Sequence, residues 1–418
     1  MKALAALVKE VTDKSSGAVV AACAEEDEPP LKLAPQGPFC NISSEYWNDW
    51  RWQFRNRITT IDSLSKYVPL NLRERARLSL VSAKFPLSIT PYYLSLIRSD
   101  DELDPIRMQA LPSVKELTKS DVGMEDPLAE EKHSVVPGLV HRYPDRVLMV
   151  LTDICPMLCR HCTRKREWRH GGWVRTAEQF QDMLGYIRQH KEVRDVIVSG
   201  GDPLTLSTVR LEEVLFGIRN IPHVEIIRIG TRVPVVLPQR IDDELCNALS
   251  KYGPIWLNTH FNHPHEITPE AALACDRLLR AGVPVNNQSV LLKGVNDSVE
   301  TQLELCQSLL RIKVRPYYLF QCDDVAGTEH FWTPVETGVK IIQGMRGFTS
   351  GLAIPTYVID LPNGGGKIPV GPDYILEHTS DGLIVRNYQG KIMHYSNPDN
   401  SVACTGRVDM MYENVVTV

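Results

Sequence analysis

The chain has 418 residues, of which 43% are hydrophobic and 23% are charged, so it can bury a large globular core. Its net charge of -5 and pI near 6.2 provide no global basic field for nucleic acid or an anionic membrane surface, which favours small-molecule partners. No apolar run approaches the roughly 20 residues of a membrane span, and MKALAALVKEV, followed by EEDEPP, does not have the form of a signal peptide.

The first 140 residues divide into two segments. Residues 1–40 are rich in Ala, Glu and Pro and are predicted to be a flexible N-terminal segment. Residues 41–140 are predicted to be helical, because EYWNDWRWQFRNRI and LNLRERARLSLVSAKF both place apolar residues at helical spacing.

From Arg146 onward, short β-rich runs alternate with helical segments. The runs are RVLMVLTD, DVIVSGGDP, VEIIRIGTR, PIWLNTHF, VPVNNQSVLL, RPYYLFQCD and PTYVIDLP. Thr176 and Gln179 predict a capping box at the start of the first intervening helix. We expect that helix to bury Phe180, Met183, Leu184 and Ile187. Repeated β-α-β units demand a parallel sheet covered by helices, and six or seven units favour a closed or partly closed barrel over an open doubly wound sheet.

We therefore predict an α/β fold with a partial (β/α)6 barrel over residues 141–370. A C-terminal extension follows over residues 371–418, where DGLIVRNYQGKIMHYSNP predicts a hairpin around Gln389-Gly390. In such barrels the chemistry collects where strand C-termini meet the next loops. Reactive positions follow four of the strands: Cys155 the first, Gly200-Gly201-Asp202 the second, His260 the fourth and Asp323 the sixth.

Three of the ten cysteines, Cys155, Cys159 and Cys162, form a C-x3-C-x2-C loop, and the others are scattered. Scattered cysteines in a long chain fit a reducing compartment, so we expect a cytoplasmic protein. Three thiolates are one fewer than a closed zinc or iron–sulfur site takes, and a four-iron cluster bound here would keep one iron open to a substrate or cofactor. The alternatives are a zinc site completed by His161 or a distant cysteine, and three unrelated thiols.

A run of three glycines precedes Lys367 in DLPNGGGKIPVGP. A phosphate-binding P-loop is excluded because the G-x-x-x-x-G-K-[ST] spacing fails and Ile368 replaces the hydroxyl residue. Glycines beside a lysine give its amine room to reach a carbonyl, as a Schiff base with pyridoxal phosphate requires. From these residues alone, a flexible loop with a solvated lysine is an equal alternative.

The cysteine loop after the first strand, with GGDP after the second, resembles the radical S-adenosylmethionine (SAM) enzymes. HRYPDRVLMVLTDICPMLCRHCTRKR, GGDPL, NTHFNHP, QSVLLKGVND, QCD, MRGFTSG and GGGKIP together are similar to the lysine 2,3-aminomutase family, over about Tyr46 to Asn397. The resemblance implies a radical-SAM partial barrel and an isomerase. Such an isomerase moves an amino group between adjacent carbons with a [4Fe-4S] cluster, S-adenosylmethionine and pyridoxal phosphate.

The resemblance also implies residue roles. Lys367 would carry pyridoxal phosphate, and Arg164 would bind the substrate carboxylate, a task that suits a guanidinium fork. The cluster would be held by Cys155, Cys159 and Cys162. S-adenosylmethionine would be bound by Gly200, Gly201, Asp202, His260 and Gln288. The positions associated with the phosphate of pyridoxal phosphate are Arg142 and Arg146. A histidine metal site in HFNHPH is a minor alternative.

The resemblance makes Asp323 and Asp360 the pair of aspartates that hold the ε-ammonium in lysine-specific members. Two carboxylates in one pocket repel one another unless a cation lies between them, so lysine is favoured and glutamate is disfavoured. The predicted reaction interconverts L-lysine and L-β-lysine. Arginine and ornithine stay open, Asp324 adds a third acid, and Asp360 as a loop cap before Pro362 is an alternative. Two other classes stay open: a radical enzyme acting on a protein lysine side chain, and a noncatalytic iron–sulfur redox sensor.

Two departures from the family pattern have predicted consequences. Of the cysteines that bind a structural zinc between subunits, only Cys404 is present and Ser298 replaces the partner cysteine, so we predict that this zinc is absent. Asn363 replaces a glycine before GGGK, and because Asn tolerates φ > 0 we expect little consequence. The resemblance further implies a homo-oligomer and an electron donor such as flavodoxin or ferredoxin.

Overall fold

The computed structural model of the protein describes residues 35, 37–98, 101–118, 121–169 and 171–397. Most of the predicted flexible segment 1–40 lies outside these residues, and so do Cys404 and the end of the C-terminal extension. Within these ranges, the helices are all too short or too polar to cross a membrane.

The N-terminal region is helical as far as residue 117. Its α-helices are α1 (Ser44–Asn48), α2 (Trp50–Arg55), α3 (Ile61–Leu64), α4 (Leu72–Lys84), α5 (Pro91–Leu94) and α6 (Pro105–Ala110). The stretch EYWNDWRWQFRNRI is split between α1 and α2, because Asp49 has extended backbone angles (φ -85°, ψ 109°) and its carboxylate caps α2 by accepting from the Arg51 N–H at 2.8 Å.

The helical prediction for residues 41–140 is wrong at its C-terminal end. There β1 (Ser134–Val136) and β2 (Leu139–Tyr143) pair antiparallel across Pro137-Gly138. Gly138 has φ of +85°, a conformation that glycine adopts without steric cost, so the Pro-Gly pair makes a turn where a helix would need to continue.

A curved sheet then forms the barrel. Its parallel strands are β3 (Arg146–Val150), β4 (Asp195–Ser199), β5 (Ile226–Gly230), β6 (Ile255–Thr259), β7 (Val285–Leu291), β8 (Arg315–Gln321) and β9 (Thr356–Leu361). Strand β10 (Gly366–Pro369) pairs antiparallel with β9. The ten strands lie in chain order from β1 to β10, and these two edges do not pair within the described residues. The sheet is therefore open, which confirms the predicted partial barrel.

Helices connect the successive parallel strands. They are α7 (Ala177–Gln189), α8 (Thr208–Arg219), α9 (Val233–Val236), α10 (Asp243–Ser250), α11 (Pro269–Arg280), α12 (Val299–Arg311) and α13 (Val335–Met345). The predicted capping box of α7 is present, with Thr176 Oγ1 accepting from the Gln179 N–H at 3.2 Å and Gln179 Oε1 accepting from the Thr176 N–H at 3.1 Å. The side chains predicted to be buried are buried: Phe180, Met183, Leu184 and Ile187.

The N-terminal helices and the barrel share one hydrophobic core. Tyr92, Tyr93 and Ile106 from α5 and α6 belong to the same buried cluster as Val196 and Ile229 from the barrel strands. Because this packing is continuous, the N-terminal region is attached to the barrel as part of its core.

The C-terminal extension contains a separate antiparallel sheet. The strands are β11 (Ile375–Thr379), β12 (Gly382–Arg386) and β13 (Ile392–Ser396). The predicted hairpin around Gln389-Gly390 joins β12 to β13, with the Asn387 N–H donating to Lys391 O at 3.0 Å. The sequence analysis missed β11, which is mostly exposed and has too little apolar alternation to be recognised.

Candidate active site

The C-terminal ends of the parallel strands and their following loops surround a cavity of about 560 Å³. Nearly all of the site residues predicted from the sequence line it: Arg142, Arg146, Cys155, Cys159, Cys162, Arg164, Gly200, Gly201, Asp202, His260, Gln288 and Lys367. The two exceptions are Asp323 and Asp360, which lie beside Lys367. The structure therefore brings the cysteine loop and the glycine-flanked lysine to one shared space.

The loop that carries the three cysteines is held in place by the N-terminal region. The Leu158 N–H donates to Ser88 O and the Arg160 N–H donates to Gln109 O, both at 2.9 Å. Arg57 Nη1 donates to Cys155 O at 2.8 Å. These contacts satisfy backbone groups of a loop that has no regular partner strand, so they fix its path.

A buried ionic cluster also anchors this loop. Arg160 Nη2 and Lys165 Nζ donate to Glu116 Oε2 at 2.6 and 2.9 Å, and the side chains are 0 to 2% exposed. Lys165 Nζ also donates to Gly327 O at 2.8 Å, in the loop after β8. Because an unpaired charge at this depth would be costly, each of the three groups needs the others in place.

The cysteine thiols fit a cationic cluster. Burial, together with the Asp202 carboxylate and the two other thiols, raises the pKa of Cys155 well above its usual range, and burial with Cys159 raises the pKa of Cys162 to about 11. Thiols in such surroundings ionise when a bound metal compensates their charge. Within the described ranges, no three His, Cys, Asp or Glu side chains match a single-ion site. In an iron–sulfur cluster, by contrast, each thiolate binds a different iron.

Arg232, which follows β5, connects Cys159 to the rest of the barrel. Its Nη1 donates to Cys159 Sγ at 2.9 Å and its Nε donates to His260 O at 3.0 Å. Its Nη2 donates to Gln109 Oε1 at 2.6 Å and to the buried Glu266 Oε1 at 2.7 Å. A guanidinium at this position offsets negative charge on the thiolate, and such contacts to ligand sulfurs tune iron–sulfur sites. The sequence analysis did not identify Arg232.

The Gly200-Gly201 pair lets two loops pack together. A Cβ on Gly201 would lie 2.5 Å from Ile154 O, and Gly200 has φ of +145° with its Cβ position against Thr152 O. The Gly201 N–H donates to Thr152 O, and the Asp202 N–H donates to Ile154 O at 2.8 Å. The glycine pair therefore permits a close approach of its backbone to the loop before Cys155.

Asp202 binds groups of the protein itself. Its Oδ1 accepts from Thr231 Oγ1 at 2.7 Å and from the Leu204 N–H at 3.1 Å, while Oδ2 accepts from the Arg232 N–H at 2.8 Å. Burial raises the pKa of Asp202 to about 6, against the effect of these hydrogen bonds. Asp202 therefore connects the loops after β4 and β5, in addition to any contact with a ligand.

His260 and Gln288 lie together on the cavity wall. His260 Nδ1 lies 2.7 Å from Gln288 O, which fixes the ring orientation. Burial, and then the positive charge of Arg232, lowers the pKa of His260 to about 4, so the imidazole is neutral at physiological pH. His161, from the cysteine loop, also lines the cavity, and its buried Nδ1 has no hydrogen-bond partner among the described residues.

The register of β9 and β10 positions Lys367. Lys367 stands directly opposite Asp360 across the antiparallel pair. Its Nζ lies 2.7 Å from Asp360 Oδ2, and Arg142 Nη2 donates to Asp360 Oδ1 at 3.3 Å. The Tyr143 hydroxyl accepts from the Lys367 N–H at 3.0 Å and from Arg142 Nη2 at 3.2 Å. Lys367 is therefore a strand residue facing the cavity, not a solvated lysine on a flexible loop, and Asp360 is a strand residue rather than a loop cap.

Asp323 follows β8 beside this pair. Burial, and then the charge of Asp360, raises the pKa of Asp323 to about 7, while Lys367 opposes the shift. Asp324 is exposed whereas Asp323 is half-buried, so Asp323 rather than Asp324 joins Asp360 at this end of the cavity.

The residues near Lys367 fit a phosphate and an aromatic ring. The Arg142 and Arg146 guanidinium carbons lie 4.8 and 4.6 Å from the centroid of the Tyr143 ring, so both cations contact this ring. Tyr317 and Tyr318 stack at 3.9 Å on the cavity wall. Tyr143 lies within HRYPDR, where a tyrosine between two arginines gives no separate signal of a role in the sequence.

The loop before Lys367 is shaped by left-handed backbone. Asn363 has φ of 57° and Gly364 has φ of 78°. A Cβ on Gly364 would lie 2.5 Å from His133 Cε1, so this position requires glycine. Asn363 adopts the expected conformation. Ser298 caps α12, with Oγ accepting from the Thr301 N–H at 3.1 Å, and the absence of a structural zinc stays a prediction.

Comparison with known proteins agrees with this geometry. Residues 149–306 match the family model of the radical SAM superfamily, and residues 342–418 match the model described as lysine-2,3-aminomutase. The chain is 52% identical over 375 residues to the L-lysine 2,3-aminomutase of Clostridium subterminale, covering 88% of this chain and 90% of that one. It is 51% identical over 362 residues to that of Fusobacterium nucleatum, covering 87% and 85%. A protein named glutamate 2,3-aminomutase, from Clostridioides difficile, is 44% identical over 353 residues, covering 84% and 83%.

The open barrel and its three-cysteine loop define a radical SAM enzyme. At the level of family, the chain belongs to the lysine 2,3-aminomutases, which are isomerases.

Proposed function

We propose that the enzyme interconverts L-lysine and L-β-lysine. The observation that supports lysine is the pair of carboxyl groups of Asp323 and Asp360 beside the amine of Lys367. Because a family member named for glutamate is 44% identical to this chain, overall similarity leaves the substrate open and the charges of the site must decide it.

The pairing of Lys367 supports a cationic ligand group at this end of the cavity. Its primary ammonium pairs with Asp360, whose side chain is 5% exposed. Lys367 is the proposed attachment point of pyridoxal phosphate, so its amine cannot also remain the counter-ion of Asp360. Arg142 then remains as a cation beside Asp360, and the distal ammonium of lysine supplies a second cation for the two carboxyl groups, whereas the distal carboxylate of glutamate would be repelled by them.

We propose the remaining roles from the same arrangement. Cys155, Cys159 and Cys162 hold a [4Fe-4S] cluster. S-adenosylmethionine is bound by Gly200, Gly201, Asp202, His260 and Gln288. Arg142 and Arg146 bind the phosphate of pyridoxal phosphate, and Arg164 binds the substrate carboxylate. When bound, the cluster and S-adenosylmethionine would supply radical initiation, and pyridoxal phosphate would supply the carbonyl group that holds the migrating nitrogen. The chain orients the reactants and keeps water from the radical.

Expectations about partners accompany this proposal. A one-electron donor such as flavodoxin or ferredoxin reduces the cluster, and the protein works as a cytoplasmic homo-oligomer. A noncatalytic redox sensor would leave the lysine in the same cavity as the cysteines without a use.

The test is anaerobic incubation of the reconstituted enzyme with lysine, arginine, ornithine or glutamate, followed by chromatography of the β-amino products. We expect lysine to be preferred. Asp360→Asn should lower kcat/KM for lysine about 30- to 100-fold, because one partner of a buried charge pair is lost. The matched control is Asp324→Asn, an exposed neighbour that should behave as wild type. Preferential turnover of glutamate would overturn the assignment.

A further inference from the structure

Arg164, the proposed ligand of the substrate carboxylate, is already bound by a carboxylate of the protein. Its Nε donates to Glu130 Oε1 and Oε2 at 3.1 and 2.9 Å, and its Nη2 donates to Glu130 Oε1 at 2.6 Å. Its Nη1 donates to Gly200 O at 3.1 Å. Both side chains are largely buried, at 19% and 12% exposure, and both residues line the cavity.

Counting donors shows what this pairing leaves for a ligand. A guanidinium has five N–H groups, one on Nε and two on each terminal nitrogen. Glu130 accepts from Nε and from one N–H of Nη2, and Gly200 accepts from one N–H of Nη1. Among the described residues this leaves one N–H on Nη1 and one on Nη2. Two N–H groups on neighbouring nitrogens can bind a second carboxylate.

Glu130 is held firmly as an anion. Its Oε2 also accepts from Arg166 Nη2 at 3.0 Å. Burial alone would raise the pKa of Glu130, but the charges of Arg164 and Arg166 outweigh burial and lower the pKa to about 2. Arg166 is also paired with Asp126 at 3.3 Å, so Glu130 does not have to neutralise both cations alone.

The segment that carries Glu130 is connected to both ends of the cavity. On one side Glu130 binds Arg164 from the cysteine loop. On the other side the Asn363 N–H donates to Pro127 O at 3.0 Å, in the loop before Lys367. Ala129, directly before Glu130, has φ of 50°, an uncommon value for a residue with a Cβ that persists where the surroundings impose it.

We propose that Glu130 is a positioning residue for substrate binding. It holds Arg164 by one edge of the guanidinium, so that the N–H groups of Nη1 and Nη2 receive the carboxylate of the amino-acid substrate. This inference rests on the proposed function, because it assumes that Arg164 binds that carboxylate. It adds a residue that acts through Arg164 without touching the reacting atoms.

The experiment titrates the pyridoxal-phosphate-loaded enzyme with two ligands and follows the change in the cofactor's visible absorbance. One ligand is lysine, and the other is cadaverine, which is lysine without its carboxylate. Glu130→Gln should weaken lysine binding about tenfold, because hydrogen bonds to a charged group are lost. Cadaverine binding should be unchanged, because it has no group for Arg164 to bind.

Control variants separate positioning from a general structural effect. Glu131→Gln makes the same chemical change one residue away, at a side chain that is 78% exposed, and should bind both ligands as wild type. In an Arg164→Met background, Glu130→Gln should add nothing to the loss of lysine binding. If Glu130→Gln does not fold, Glu130→Asp, which keeps the charge on a shorter side chain, should show the same lysine-selective loss.

Two results would overturn the inference. Lysine binding that is unchanged or tighter in Glu130→Gln would show that Glu130 does not orient Arg164 or competes with the substrate. Equal weakening of both ligands would show a structural role only. The proposed function fails separately, if the wild-type protein itself binds no pyridoxal phosphate or gives no absorbance change with lysine.

Discussion

The two ends of the cavity are built differently. At the cysteine end, buried charges such as Glu116 and Arg160, both 0% exposed, tie the loop to the N-terminal helices. At the other end, Lys367 projects from a short strand pair, its side chain is 32% exposed, and its amine pairs with Asp360. The first end holds many groups in a single arrangement, whereas the second end depends on a few contacts that a ligand can replace.

The difference fits the proposed roles of the two ends, a [4Fe-4S] cluster at the cysteines and pyridoxal phosphate at Lys367. A metal cluster needs ligands fixed in advance, and second-layer contacts such as Arg232 with Cys159 fix them. An amine that forms and exchanges covalent bonds must be released from its resting partner. The Lys367 side chain is partly exposed although Asp360 is buried, so its amine can leave Asp360 for a ligand without entering a closed core.

The largest effects are expected when one proposed cofactor ligand is substituted at each end of the cavity in turn. Cys159→Ala should abolish iron binding and lower turnover at least about a thousandfold, while the pyridoxal absorbance band is retained. Lys367→Ala should lower turnover to a similar extent and abolish the band, while iron is retained. Iron analysis and visible spectra measure the two signals separately. Cys40→Ser, at an exposed cysteine, is the control and should keep both. Loss of both the iron and the absorbance band in Cys159→Ala, or in Lys367→Ala, would show that the two ends do not assemble independently.

A smaller effect should distinguish the ends by stability. Glu116→Gln leaves Arg160 and Lys165 buried without their counter-ion and should lower the free energy of unfolding by about 3 kcal/mol. Asp360→Asn should change it by less than about 1 kcal/mol, because the loss of the ion pairs with Lys367 and Arg142 is offset by relief of repulsion with Asp323. Urea unfolding of the metal-free protein measures both. Equal losses would mean that the lysine end is as rigidly built as the cysteine end.

The sequence predicted those parts of the site that are encoded locally. Motifs and alternation within a few residues predict the seven parallel strands, the cysteine loop and the glycine pair. The structure contains these strands, and it places the cysteine loop and the glycine pair after the expected ones. The order of the strands follows from the alternation of β and α segments, because right-handed crossovers leave few other arrangements.

What the sequence did not predict depends on contacts between distant segments. Arg232 and Cys159 are 73 positions apart, and Glu130 and Arg164 are 34 apart, so neither pair forms a motif. Lys367 was assigned its role only by resemblance, because its strand is defined by register with β9 and not by its own composition. The sequence analysis also missed the break between two helices at Asp49. The helix ends there because the Asp49 side chain caps the next helix by accepting from a backbone N–H.

The smallest expected effect concerns pH at the lysine end. Asp323, with a pKa raised to about 7 by burial and then by Asp360, is mostly neutral below that pH and anionic above it. The distal ammonium of lysine stays charged throughout, since its pKa is about 10.4. Lysine affinity should therefore rise about tenfold between roughly pH 6 and 8 and then level off. Binding titrations at fixed ionic strength measure this rise.

Two comparisons assign that pH dependence to Asp323. Norleucine has a side chain of similar length without the distal ammonium, so the component of the rise due to Asp323 should be absent with this ligand. Asp323→Asn should bind lysine more weakly and without that component. Because Asp360, Lys367 and Arg142 face the same group, an unchanged rise in Asp323→Asn would assign the titration to one of them or to the bound cofactor. In that case a group other than Asp323 would change its charge with pH at the lysine end. That group, and not Asp323, would then distinguish the lysine end from the cysteine end, whose buried charges are fixed by their partners.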